Sequence, residues 1–159
     1  MLIKIKIKTL IFILTLVLAQ QVQPANGQVL DAAYFKNGTC GLTVEDAHIS
    51  TYLLRTKKQR QVKVNVFSAC AIPQQSVTFD VEIWKVGLYG DHLVKKFHKV
   101  ITKSPNPKRF DFLESRAKCL NRLPTIYYGR GKATAVIKGK TYTSLWVISE
   151  HQSLIDCGT

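Results

Sequence analysis

The chain has 159 residues, with 23 Lys or Arg against 10 Asp or Glu, so its formal net charge is +13, and 46% of its residues are hydrophobic. This length predicts a single domain, because domains usually hold about 100–200 residues, and it excludes a multidomain enzyme. The hydrophobic content is too high for an intrinsically disordered coil. The ordinary Gly and Pro counts, 9 and 5, exclude collagen-like and low-complexity classes.

The N-terminal segment has the pattern of a secretory signal peptide. An uncharged, mostly apolar run over 9–19 follows three lysines, Lys4, Lys6 and Lys8. This order matches a basic n-region and an apolar h-region, and the run is much shorter than the roughly 20 residues that a membrane-spanning helix needs. Small residues predict cleavage after Ala19 or after Gly27. We therefore expect residues 1–27 to be removed, and 28–159 to form one secreted, extracellular domain with a net charge of +10.

The sequence Asn37-Gly38-Thr39 precedes the first cysteine of this domain and matches an N-glycosylation sequon. Asn37 is therefore a candidate glycosylation site if the source is eukaryotic. A glycine-containing turn that leads into the first strand explains the same residues.

All four cysteines lie in the predicted mature domain, at Cys40, Cys70, Cys119 and Cys157. An even number of cysteines in an exported protein predicts two disulfides, for which three pairings exist. We predict the sequential pairing, Cys40 with Cys70 and Cys119 with Cys157, because it joins neighbouring strands without crossing the domain. The zinc alternative lacks a Cys-x-x-Cys pair, so no metal and no cofactor are predicted.

Apolar residues of the mature domain recur with the period of two that is typical of strands. The alternation begins at Val62, Val64 and Val66 and ends near Cys70. It returns over 76–88, where the residues predicted to face the core are Val77, Phe79, Val81 and Ile83, and those predicted to face outwards are Thr78, Asp80, Glu82 and Trp84. A turn near Gly90 and a return strand over 93–102 predict a long hairpin.

The stretch 110–123 is the one place where a short helix is plausible, with Asp111 as its cap, and a strand is the alternative there. The stretches 125–137 and 141–149 predict two strands, joined by a hairpin turn at Lys138-Gly139-Lys140. Together the segments predict an all-β domain, an antiparallel β-sandwich of Greek-key or immunoglobulin-like type with Trp84 buried in it, and a small β-barrel is the alternative.

The sequence contains no established catalytic motif. The four histidines, His48, His92, His98 and His151, form no metalloprotease pattern. His92 and His98 are six residues apart, which predicts one face of a strand but a separation of about 20 Å. A catalytic triad of Ser68, His98 and Asp80 can be selected from the sequence, but any chain of this size offers such a combination. No catalytic residue is therefore predicted.

A secreted nuclease-like hydrolase is nevertheless the alternative function, because such enzymes are often small, basic and disulfide-bonded. It would use an acid–base pair and a cation on a phosphodiester. The candidates are His98 or His151 with Glu82 or Glu150, and Arg130 as the cation.

The basic residues form clusters, and two of these clusters supply the candidate binding residues: Arg55, Lys57, Lys58, Arg60, Arg130 and Lys132. We expect 55–60 to be a contact loop, because four of its six residues are cationic. Long-range attraction would bring an extracellular polyanion or a protein partner to such a surface. Tyr127 and Tyr128 beside Arg130 also match the cation-and-aromatic pattern of single-strand nucleic acid binders, but the predicted export argues against nucleic acid as the partner. A basic surface that serves only solubility explains the same clusters.

The sequence therefore predicts a secreted, cationic, monomeric binding protein without catalytic activity. The hydrolase is the first alternative, and a structural matrix component is the second.

Overall fold

The computed structural model describes residues 40–159, so the predicted signal peptide and Asn37 lie outside the described residues. The described part contains one short helix and strands of 2 to 17 residues. In chain order the elements are β1 (Cys40–Val44), β2 (His48–Ile49), α1 (Thr51–Lys57), β3 (Gln61–Lys63), β4 (Val66–Cys70), β5 (Ser76–Lys85), β6 (His92–Ile101), β7 (Arg109–Phe112), β8 (Arg116–Lys118), β9 (Asn121–Ile137), β10 (Lys140–Thr143), β11 (Val147–Ile148) and β12 (Ser153–Gly158). Among these residues no helix is long and apolar enough to cross a bilayer.

The largest sheet has six strands and is organised around β9, the longest strand. β9 pairs with β5 along one edge and with β10, β11 and β12 in turn along the other, and β6 completes the sheet beyond β5. All of these pairings are antiparallel. This order places β5 and β9 at the centre of the sheet and β6 at its edge. The sheet is curled like a half-barrel.

The opposite layer is built from three chain segments, each of which contributes two strands. The segments 40–49, 61–70 and 109–118 form the sheets β1-β4-β7 and β2-β3-β8. Hydrogen bonds continue across the break, where Glu45 N donates to Asn65 O at 2.9 Å and Val64 N donates to Ser115 O at 3.1 Å. The two small sheets therefore form one kinked layer. The antiparallel all-β class is confirmed, and the curl of the large sheet fits both the sandwich and the small barrel.

Both predicted disulfides are confirmed. Cys40 and Cys70 are directly opposite each other on β1 and β4 and form the first bridge. Cys119, just after β8, forms the second bridge with Cys157 on β12. The first bridge joins neighbouring strands, as expected, whereas the second ties the kinked layer to the six-stranded sheet.

The two layers approach closely at two glycines on the inner face of β9. A Cβ atom on Gly129 would lie 2.5 Å from Val64 Cγ1, and one on Gly131 would lie 2.7 Å from Val44 Cγ2. Real Cβ atoms do not come so near to another carbon, because interiors are already packed to crystal-like density. Glycine at these positions lets the valines of the opposite layer contact the backbone of β9.

The helix considered over 110–123 is wrong, because the segment forms β7, β8 and the start of β9. Phe110 and Phe112 are buried while Arg109 and Asp111 are exposed, which is the period of a strand. The Phe112 ring packs 6.2 Å from the ring of Phe79 across the core. This contact with the opposite layer stabilises the strand and outweighs the local preference for a helix that the spacing of the apolar residues suggested.

The turn predicted at Lys138-Gly139-Lys140 is confirmed. Ile137 and Lys140 pair directly, so Lys138 and Gly139 form a two-residue loop. Both have positive φ, 48° and 72°, as a type I′ hairpin turn requires.

Candidate binding face of the central sheet

The side chains of β5, β6 and β9 that point away from the core form an outer face. In an antiparallel sheet, residues directly opposite each other project to the same side. The register therefore sorts this face into rows across the strands. These are an aromatic row of Leu93, Trp84 and Tyr128, a first cationic row of Lys96, Glu82 and Arg130, and a second cationic row of His98, Asp80 and Lys132.

A β-bulge at Val94 brings Leu93 into the aromatic row. Ile83 pairs with Lys95 but Trp84 pairs with Leu93, so β6 has one extra residue between the two pairs. Such a bulge reverses the faces of the residues on either side of it. The expectation that His92 and His98 share a face is therefore wrong.

The aromatic row continues into a stack around Arg130. The rings of Trp84 and Tyr128 are nearly parallel, 9° apart in orientation, with their centres 6.3 Å apart. The Arg130 guanidinium carbon lies 5.9 Å from the centre of the Trp84 ring and 4.7 Å from that of Trp146. Trp84 is half-buried in this cluster, so the interpretation of Trp84 as a core residue is wrong.

Glu82 is the carboxylate that balances the first cationic row. It is only 7% exposed and accepts a hydrogen bond from Trp84 Nε1 at 2.9 Å. Its oxygens lie 3.5 Å from Lys96 Nζ and 3.8 Å from Arg130 Nε. One carboxylate thus faces two cations, and Arg130 Nε is buried without a hydrogen bond.

The second cationic row repeats this alternation of charge. His98 Nδ1 lies 2.8 Å from Asp80 Oδ1, and Lys132 is opposite Asp80 on the other side. Together the two rows hold three permanent cations against two carboxylates. These two rows of the outer face are therefore net positive.

The β5–β6 hairpin extends the sheet beyond the aromatic row. At its tip, Leu88 and Tyr89 are 97% and 101% exposed. The Tyr128 hydroxyl donates to Asp91 Oδ2 at 2.9 Å and so ties the hairpin to β9. Burial, and then the Asp91 carboxylate, raise the pKa of Tyr128 above its ordinary value, so the hydroxyl remains a donor at neutral pH.

The six predicted binding residues lie in two separate places. Arg130 and Lys132 belong to the outer face. The first half of the expected contact loop 55–60 is helical, with Arg55 and Lys57 in the last turn of α1. Arg60 contacts Asp156 on β12, with its Nε donating to the backbone oxygen at 2.6 Å.

The other predicted binding residues of 55–60, Arg55, Lys57 and Lys58, are exposed. Lys58 ends α1 in the left-handed conformation, and its N–H donates to the Leu53 carbonyl. Cations at this end of a helix interact favourably with its dipole. Arg60 thus makes a local contact with β12, and the cations of the last turn of α1 lie where a helix dipole favours positive charge.

The residues considered for catalysis are only partly brought together. His98 and Asp80 are hydrogen-bonded, but the Ser68 hydroxyl is buried on β4 and donates to Gln74 at 2.7 Å. His151 pairs with Asp46 at 2.9 Å. The described residues contain no group of three or more His, Cys, Asp or Glu side chains that could hold a metal.

Some residues of this region are not among the six predicted binding residues, chiefly Lys96, Trp146 and the hairpin tip. Lys96 lies opposite Glu82 only because β6 has an extra residue at Val94, so the hairpin turn by itself would have placed Lys95 there. Trp146 offers no sequence signal either, since its contact with Arg130 depends on how β11 pairs with β9.

Comparison of the chain with protein-family models finds no matching family, and comparisons with curated proteins and with solved structures find no significant match.

Proposed function

We propose that the protein is a secreted, non-catalytic binding protein that contacts an acidic extracellular partner through the outer face of its central sheet. The observation that carries the proposal is Arg130, whose guanidinium is held beside two indole rings in a row of cations. Its buried Nε has no hydrogen bond. The two disulfides are consistent with export, because such bonds persist in oxidising compartments.

A held arginine is suited to binding an anion. Packing against Trp84 and Trp146 restricts its rotamers, so less conformational entropy is lost when a ligand contacts it. Its side chain is still 32% exposed and can reach a carboxylate, sulfate or phosphate group. Lys96 and Lys132, in the rows beside it, would then contact neighbouring charges of a polyanion.

The test is a binding titration with a sulfated polysaccharide, heparin, at two salt concentrations. The variant Arg130→Gln/Lys132→Gln removes two charges from the outer face, and Arg55→Gln/Lys57→Gln removes two from the helix. At about 0.5–1 kcal/mol for each contact, the sheet variant should bind about 5- to 30-fold more weakly. The helix variant should change binding by about twofold, through net charge alone.

Two outcomes would contradict the proposal. Equal weakening in both variants would indicate that only the net charge matters and that the basic surface is a general one. Stronger weakening in the helix variant would place the contact at α1, as the sequence interpretation of 55–60 expected.

The hydrolase remains the alternative, and one observation favours it. The His98–Asp80 pair, Glu82 and Arg130 lie in adjacent rows of the same face, which provides an acid–base group beside a cation. Incubation of the oxidised protein with single-stranded RNA and DNA, followed by product analysis, tests it. Cleavage that disappears in His98→Gln would replace the binding proposal with a hydrolase, and no cleavage would leave binding as the function.

A further inference from the structure

The side chains of the outer face change in a fixed order away from the hairpin tip. Leu88 and Tyr89 come first, the aromatic row follows, and the two cationic rows follow behind it. Residues two apart on a strand are about 7 Å apart, so the cationic rows lie about 7 and 13 Å behind the aromatic row. Apolar, aromatic and cationic groups are thus layered along one direction.

The tip exposes more apolar surface than the fold requires. Single exposed apolar side chains are common in proteins, but here two adjacent ones are almost completely exposed. Further exposed apolar side chains lie at the same end of the sheet, where Ile126 on β9 is opposite Leu154 on β12 and Leu93 lies on β6. Several exposed apolar side chains grouped at one end of a sheet are typical of a contact surface.

The order of the layers matches the cross-section of a lipid leaflet. Acyl chains accept apolar side chains, Trp and Tyr favour the interface, and Lys and Arg favour anionic headgroups. The headgroup region of one leaflet is about 5–7 Å deep, which is close to the spacing of the rows. With the tip among the acyl chains, the cationic rows would lie at or just above the headgroups, within a Debye length of about 8–10 Å.

We propose that the partner is an anionic lipid surface, into which the β5–β6 hairpin inserts Leu88 and Tyr89 while Lys96, Arg130 and Lys132 contact the headgroups. This inference rests on the proposed function and names its partner. A polysaccharide would use the cations but offers no apolar phase for the Leu88 side chain. The lipid surface accounts for the tip and the cationic rows together.

The experiment is co-sedimentation of the oxidised protein with vesicles of phosphatidylcholine alone and of phosphatidylcholine mixed with phosphatidylserine, with heparin titrated in parallel. The variant Leu88→Ser/Tyr89→Ser removes the tip. The matched control, Tyr52→Ser/Leu113→Ser, removes the same two side-chain types from exposed positions on α1 and after β7. Arg130→Gln/Lys132→Gln tests the cationic rows.

Wild-type protein should bind the anionic vesicles and not the neutral ones. The tip variant should bind anionic vesicles at least about tenfold more weakly than the wild type. It should bind heparin with the same affinity as the wild type. The control variant should match the wild type with both probes, and the cation variant should lose affinity for both.

Tryptophan fluorescence gives a second readout, because the only two tryptophans of the chain, Trp84 and Trp146, flank Arg130. Insertion of the tip should shift their emission to the blue, and lipids brominated near the headgroup should quench it. Binding to vesicles without either change would contradict the proposed orientation.

The outcomes separate the two proposals. Heparin binding without vesicle binding, or unchanged vesicle binding by the tip variant, would overturn the lipid inference and leave the proposed function standing. No binding to any anionic probe would overturn both. If light scattering finds a wild-type dimer that the tip variant abolishes, the occupant of the tip is a second copy of the chain and the lipid inference is wrong.

Discussion

Replacement of Gly129 by alanine should destabilise the protein, although alanine is normally the better residue in a strand. The new Cβ would lie 2.5 Å from Val64 Cγ1 and 3.0 Å from Val44 Cγ1. Both valines belong to the opposite layer, and Val64 is completely buried, so neither methyl group has free space to enter. Adding a methyl group to a well-packed core costs about 1–3 kcal/mol.

Gly41 provides the matched control, because a Cβ there would meet no atom within 4 Å and its φ is not positive. Gly41→Ala should raise the free energy of unfolding by about 0.4–1 kcal/mol, since alanine restricts the unfolded chain more than glycine does. The two variants should therefore differ by about 1.5–4 kcal/mol. Such a difference is large beside a total stability of about 5–15 kcal/mol.

Urea denaturation followed by circular dichroism measures this difference as a shift of midpoint at constant slope. A double-mutant cycle then tests the cause. Val64→Ala alone should cost about 2 kcal/mol through lost burial and a cavity, but in the Gly129→Ala background it should cost less, because it removes the methyl groups that clash. Equal stability of the two glycine variants, or strictly additive costs in the cycle, would refute the close approach of the two layers.

Three further predictions concern the bridges and ion pairs. Replacing either disulfide pair with alanines, Cys40 with Cys70 or Cys119 with Cys157, should lower the free energy of unfolding by about 4 kcal/mol in the chain-entropy model. The two losses should be similar because the bridges span separations of 30 and 38 residues. A loss of under about 1 kcal/mol in urea denaturation would contradict this prediction. The Asp46 carboxylate, through a hydrogen bond and then its charge, raises the pKa of His151. The stabilisation is therefore complete below the unfolded value of about 6.5 and is lost as pH rises through the folded pKa. His151→Gln should accordingly be less stable than wild type at about pH 5.5 and equal to it at about pH 9, and a gap that is constant with pH would be the contrary result. Arg60→Gln breaks the contact with Asp156 and should lower the free energy of unfolding by about 1 kcal/mol. Its heparin affinity should change by about twofold at most. A large loss of affinity at unchanged stability would indicate that Arg60 is a binding residue.

Much of the fold is predictable from the local sequence. The alternation from Val77 to Ile83 predicted a strand with one buried face, since each side chain's direction follows from its own position in the pleat. The Lys138-Gly139 turn was likewise visible, because glycine readily adopts positive φ. The even number of cysteines and the predicted export favoured two disulfides, and the sequential pairing chosen for them is the one found in the structure.

Short segments of mixed character could not be predicted in the same way. Over 110–123, helical and strand spacings compete, and packing of Phe112 against Phe79 decides between them. The helix α1 has a single buried residue, Leu53, so its apolar pattern is too weak to distinguish it from a loop. Both choices depend on contacts with residues distant in the chain.

The candidate site shows the same division between local and distant information. The sequence by itself determined that the chain is strongly basic, that its cysteines can pair, and that Arg130 and Lys132 belong to a strand. Only the tertiary structure decided which residues lie beside Arg130, because cross-strand neighbours depend on register, and one extra residue at Val94 changes the faces along β6. The layered outer face therefore arises from strand pairing, which residue spacing along the chain does not encode.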